Sequence, residues 1–163
     1  MSVDKQAVLK LLDDAKISYQ LVEHEAVYTI AEMKRLNLPN ADCIAKNLFV
    51  RDDKKKHFYL ISVREEKPVD LKILREIIDS RRLSFASEKD LQEIMGLEKG
   101  SVTPFGVLND KNKSVKVFID ERFNNRIIAI HPNENTMTVW LKTEDLVELL
   151  RDHGSSVEMI NLR

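Results

Sequence analysis

Three short segments of this 163-residue chain hold the residue types from which an acyl- or phosphate-handling site can be made. Lys46 and Asn47 stand at the entrance of an apolar strand that continues Leu48-Phe49-Val50. A strand-held ammonium can neutralise a phosphate or a developing oxyanion, and an amide both donates and accepts, which suits a hydroxyl or an amino group. The segment Gly100-Ser101-Val102-Thr103-Pro104-Phe105-Gly106 opens on a glycine and is stiffened by a proline. Successive N–H groups of such a loop form a small nest for an anionic oxygen, and Ser101 and Thr103 add hydroxyls. The third segment, Ile130-His131-Pro132-Asn133, ends a strand in a histidine. His131 can serve as a base, as a polar gate or as a turn residue; its place at a strand end favours lining a pocket over abstracting a proton.

Other chemistries find little support. A single cysteine, Cys43, excludes an internal disulfide, and its neighbours suggest a core position rather than a nucleophile. Cys and His do not recur at metal-ligand spacing, so neither a metal nor another cofactor is expected. Neither a Gly-x-Ser-x-Gly elbow nor a Gly-x-x-x-x-Gly-Lys-Ser/Thr phosphate loop is present, and Ser101 has no evident base partner. The formal net charge is −1, which argues against a protein that grips long duplex DNA through many phosphates. Small basic groups at 54–56, at Arg81-Arg82 and at Lys111, Lys113 and Lys116 can still touch a few phosphates of an RNA end. Hydrophobic residues make up 43% and charged residues 33%, and the apolar runs fall far short of the ~20 residues of a membrane helix. With no basic start followed by an apolar stretch, a cytoplasmic protein is expected.

The elements that must position these residues follow from periodicity and caps. Val3 to Ala15 repeats apolar residues at helical spacing. Tyr19 to Val22 is a short strand. Thr29-Ile30-Ala31-Glu32 is a capping box opening a helix that ends near Asn37-Leu38-Pro39. Lys46 to Arg51 and Phe58 to Val63 form a hairpin. Asp70 caps a helix expected to bury Ile73, Leu74, Ile77 and Ile78; Ser87 starts another, which Gly96 stops. Val115 to Ile119 is a strand, Ile127 to Ile130 and Thr136 to Leu141 are a second strand pair, Thr143 caps a helix through Leu150 that Gly154 terminates, and Val157 to Ile160 is a last strand. Strands and helices mix without a strict βαβ rhythm. The expectation is one α+β domain spanning 1–163, with a mixed, largely antiparallel sheet flanked by helices. Phe49, Phe58, Tyr59 and Phe105 are expected in the core rather than as base-stacking platforms.

In family order, the stretch His24 to Glu32, the pair Lys46-Asn47, the loop Gly100 to Gly106 and the segment Ile128-Ala129-Ile130-His131-Pro132-Asn133 resemble the YbaK/prolyl-tRNA-editing family of aminoacyl-tRNA deacylases, in particular its stand-alone alanyl-tRNA(Pro) branch. The resemblance covers nearly the whole chain. It implies a hydrolase that clears mischarged tRNA, foremost Ala-tRNA(Pro), at the acceptor end, with prolyl-tRNA synthetase as a candidate partner. The chain is too short to contain a synthetase, which fits the form acting in trans. It implies catalytic roles for Lys46, Gly100 and Ser101, and substrate binding by Thr29, Asn47, Val102, Thr103, Pro104 and His131. Two other readings remain open: a deacylase for a different mischarged tRNA such as Cys-tRNA(Pro), and a non-catalytic adaptor that binds tRNA or a synthetase.

Overall fold

A computed structural model describes residues 3–162. Helix α1 (Lys5–Asp14) starts where the Asp4 carboxylate accepts the Ala7 N–H, and it buries Val8 and Leu12. Strand β1 (Tyr19–Glu23) follows. Thr29 caps the short α2 (Ile30–Arg35) by accepting the Glu32 N–H at 3.1 Å. Glu32 reaches back one residue further than a capping box requires, to the Tyr28 N–H. The helix ends at Arg35 with Leu36 as its C-cap, close to the stop its sequence suggests, and Asn37 just beyond turns left-handed at φ 52°.

The expected hairpin is β2 (Ala45–Asp52) against β3 (Phe58–Arg64). Asp70 caps α3 (Leu71–Ile77), which buries Leu74 but leaves Ile73 49% exposed; seven residues bury only a narrow stripe. A three-residue strand, β4 (Leu83–Phe85), has no counterpart in the periodicity and pairs with the far end of β2. Ser87 and Asp90 form a reciprocal capping box at the head of α4 (Glu88–Met95), and Gly96 closes it at φ 63°. After a 3-10 segment over Pro104–Asn109 come β5 (Val115–Asp120), β6 (Ile127–Ile130), β7 (Met137–Lys142), α5 (Thr143–Asp152) and β8 (Ser156–Ile160). Thr143 is the first residue of α5 rather than its cap: its hydroxyl donates to the Arg126 carbonyl, tying the helix to the turn before β6.

The α+β expectation holds, with the strands divided between two sheets. One is antiparallel, in the order β1-β7-β6; the other is mixed, in the order β4-β2-β3-β5-β8, with β5 parallel to both β3 and β8. A single parallel bridge, Ile44 to Ala129, joins them. The main core lies between the sheets and gathers Val8, Leu60, Phe105, Ile119, Ile128, Leu141 and Leu146. Val50, Ile61, Val63, Leu74 and Phe118 form a second cluster. Val50, Ile61, Val63 and Phe118 alternate with the main-core residues along their strands, which places this cluster on the other face of the larger sheet. A third, small cluster joins Val27, Met33, Ile44, Ala129 and Trp140. No described helix is long and apolar enough to cross a membrane.

Candidate active site

The bridge between the sheets builds the site. Because Ile44 pairs with Ala129 in parallel, the chains run side by side, and two residues further along each stand Lys46 and His131. The glycine loop is fastened to the same point: the buried Thr103 hydroxyl donates to the His131 carbonyl at 2.6 Å. Its other end lies against the segment before α2. A Cβ on Gly100 would meet Tyr28 Cδ1 at 2.7 Å and the Val27 carbonyl at 3.3 Å, and Gly100 has φ +91°, so both space and backbone require glycine there. Asn135 completes the seam by donating to the Val27 carbonyl at 2.6 Å.

The result is a cleft of about 250 Å³. Drug-sized ligands occupy pockets of ~300–1,000 Å³, so this space fits a smaller group. Val27, Met33, Ile44, Val102, Ala129 and Ile130 supply apolar wall, while Thr29, Lys46, Asn47, Glu65, His131 and Thr138 supply polar atoms. Of the nine residues proposed from sequence, six line the cleft together: Thr29, Lys46, Asn47, Gly100, Val102 and His131. Ser101, Thr103 and Pro104 do not. Ser101 is buried outside the cleft lining, and its N–H donates to the Glu98 carbonyl at 3.0 Å, so this main-chain donor is already occupied. Thr103 fastens the loop, and Pro104 starts the buried 3-10 turn. The nest is therefore shorter than the sequence suggests, with Gly100 and Val102 at the cleft.

Each polar group has a defined state. Lys46 Nζ donates to the Lys67 carbonyl at 2.5 Å, which fixes the ammonium at the β3–α3 end of the cleft. Asn47 Oδ1 accepts from Ser62 Oγ at 2.5 Å, its cross-strand neighbour, and this leaves the NH2 end free. Thr29 spends its oxygen on the Glu32 N–H and keeps its proton. Burial holds the His131 imidazole below the ordinary histidine range, opposed by its bond to the Met137 carbonyl at 2.7 Å and reinforced by nearby His24. The Glu65 carboxyl is pushed up by burial, opposed by the charge of Lys34 and reinforced by that of Glu66. Cys43 is partly buried, with its thiol raised mainly by burial, and does not line the cleft.

Glu65, Thr138 and Tyr28 are the chemistry-bearing residues that sequence reasoning missed. Arg64-Glu65-Glu66-Lys67 reads as a solvated charge run, and Thr138 as one more polar position in an alternating strand.

A small, half-apolar cleft with a fixed cation, the main chain of Gly100 and Val102 at its wall and a neutral imidazole suits the binding and hydrolysis of a small acyl ester. Residues 24–149 match the profile of the aminoacyl-tRNA editing domain, and the chain belongs to that family. It is an aminoacyl-tRNA deacylase.

The chain is 46% identical over 159 residues to the prolyl-tRNA editing protein ProX of Acetoanaerobium sticklandii, covering 97% of each. It is 29% identical over 150 residues to the prolyl-tRNA synthetase associated domain-containing protein 1 of Bos taurus, covering 89% of this chain and 87% of that one. The same fold occurs in the crystal structure of the hypothetical protein APE2540, with a TM-score of 0.73 at 17% identity, covering 94% of this chain and 97% of that one. It occurs again in a proposed trans-editing enzyme for prolyl tRNA synthetase, with a TM-score of 0.71 at 19% identity, covering 99% and 98%.

Proposed function

We propose that this protein removes alanine from mischarged tRNA(Pro), acting in trans to prolyl-tRNA synthetase in the cytoplasm. The observation that carries this reading is the convergence of Lys46, the Gly100–Val102 main chain and His131 on one cleft of about 250 Å³. Alanine and proline differ by a small apolar volume. One methylene is worth only ~1–3 kcal/mol of selectivity in a binding pocket, so a synthetase that accepts proline also accepts some alanine. A second, smaller pocket reverses the preference. In this reading Met33, Ile44, Ala129 and Ile130, apolar residues of the cleft wall, surround the alanyl methyl group and exclude the pyrrolidine ring.

In this reading the terminal ribose and its phosphate lie at the mouth. Lys46 leaves or shares the Lys67 carbonyl to pair with phosphate, and the free Asn47 NH2 donates to a ribose hydroxyl. The Gly100 and Val102 N–H groups polarise the ester carbonyl. Water adds to the carbonyl carbon, and the bond from that carbon to the ribose oxygen breaks. The ribose oxygen takes up a proton, which releases alanine and leaves the tRNA end free. Removing one donor to a developing oxyanion costs about 100- to 1000-fold in rate, so two main-chain donors can carry much of the acceleration. In this reading the adjacent ribose hydroxyl of the substrate, rather than a protein side chain, assists the attacking water.

A panel of purified alanyl-, cysteinyl- and prolyl-tRNA(Pro) tests the proposal by release of the free amino acid. Alanine should be released fastest and prolyl-tRNA(Pro) left intact. Faster release of cysteine would reassign the substrate, and binding without turnover of any would make the protein an adaptor.

A further inference from the structure

Thr138 sits in β7, 1% exposed, on the floor of the cleft. Its Oγ1 is 2.8 Å from His24 Nε2, and His24 Nδ1 is 2.8 Å from the Glu25 carbonyl. A carbonyl oxygen only accepts, so Nδ1 carries the hydrogen. In the neutral ring Nε2 is then an acceptor, and the Thr138 hydroxyl must donate to it. The same argument applies to His131, whose Nδ1 faces the Met137 carbonyl at 2.7 Å and whose Nε2 is left as a bare acceptor. The two rings stand 6.0 Å apart, centre to centre. The floor of the cleft thus offers acceptors: the Thr138 oxygen, its proton already committed, and the His131 lone pair. The donors suited to a carbonyl or a phosphate oxygen come from other elements of the lining, Lys46 and Asn47 of β2 and the Gly100 loop.

We propose that the Thr138 hydroxyl oxygen, oriented by His24, accepts a hydrogen bond from the α-ammonium group of the ester-linked amino acid. This rests on the deacylase reading and extends it. The apolar wall measures the side chain, while the floor requires an amino group. The α-ammonium is the donor-only end of an aminoacyl ester, and the ribose hydroxyls that could also donate belong at the mouth with Asn47. His24 touches no substrate; it is a positioning residue that keeps the hydroxyl proton turned away from the incoming cation.

The test compares alanyl-tRNA(Pro) with propionyl-tRNA(Pro), the same ester without the amino group. Hydrogen bonds to charged groups are worth enough that Thr138→Val should lower kcat/KM for the alanyl ester about tenfold or more. It should leave kcat/KM for the propionyl ester unchanged, and Thr138→Ser should retain most activity on both. His24→Phe should show the same substrate-selective loss, and the double variant His24→Phe/Thr138→Val should be no worse than either single one. An equal loss on both esters would assign the hydroxyl to water or to the fold and overturn the proposal, as would no loss. Should Thr138→Val fail to fold, Thr138→Ala and His24→Phe pose the same question. A wild type that cleaves propionyl-tRNA(Pro) as well as alanyl-tRNA(Pro) would refute the ammonium contact and leave the deacylase standing. A wild type that cleaves neither would refute both.

Discussion

The two walls of the cleft rest on sheets of different size and on buried clusters of different size. Lys46 and Asn47 belong to the end of β2 that pairs with β3, in a five-stranded sheet with buried clusters on each face; β4 pairs only with the other end, at Val50–Asp52. Across from them, Ala129, Ile130, His131 and Thr138 belong to a three-stranded sheet. There the wall formed with α2 rests on five buried residues: Val27, Met33, Ile44, Ala129 and Trp140. In the proposed reading, Lys46 and Asn47, which would meet the phosphate and ribose, stand on the thick wall, and Thr138 and the apolar residues that would select the amino acid stand on the thin one. Reaction geometry must hold to fractions of an ångström, whereas a selecting wall has to admit and release its ligand.

Core truncation sharpens this contrast most. Phe105, fully buried between the sheets, should cost about 3–5 kcal/mol when replaced by alanine, measured by denaturant unfolding. Met33→Ala, in the small cluster, should fall near the low end of the ~2–5 kcal/mol range for such truncations while altering discrimination between alanyl and bulkier esters. Equal costs would mean that the walls do not differ. At the seam, Gly100→Ala must adopt φ +91° and displace the Tyr28 ring, so it should lose ~1–3 kcal/mol of stability and lower activity more than it lowers the melting temperature would explain. In native-state hydrogen exchange, α2 should open at lower free energy than β2 and β3, since one six-residue helix on a small cluster has little to hold it.

The smallest effect is electrostatic. His131 should titrate by NMR with a midpoint below 6.5, because burial favours the neutral ring. The unfolded chain then binds this proton first as pH falls. Stability should therefore be fully present above about pH 6.5 and decline through the interval between that value and the His131 midpoint. His131→Asn should flatten that part of the profile. A midpoint at or above 6.5 would contradict the burial argument.

Much of the fold was legible because much of it is local. Thr29, Asp70, Ser87 and Gly96 cap their helices as their residue types require, and the β2–β3 hairpin falls around its turn. The parallel placement of β5 beside β3, the division into two sheets and the three-residue β4 depend on pairings between distant segments that periodicity does not encode. Thr143 misleads for a related reason: its hydroxyl has a better partner in the Arg126 carbonyl, seventeen residues away. The site divides the same way. Lys46, Asn47, Gly100 and His131 are singled out in the sequence chiefly by the family resemblance, since residue type and local context alone fit surface and turn positions as well. Thr138 comes to notice only once β1 and β7 pair and bring His24 beside it, and Ser101 is found outside the cleft lining with its N–H on the Glu98 carbonyl, which its sequence context does not show.

The most direct measurement is the release of free alanine from purified alanyl-tRNA(Pro) by wild type and by a folded Lys46→Ala variant, side by side. Rapid release by wild type, with a loss of about 100-fold or more in the variant, is the expected result for a cation that works in the same cleft as the Gly100 loop. Equal rates for the two proteins would remove Lys46 from the chemistry and contradict the site proposed here.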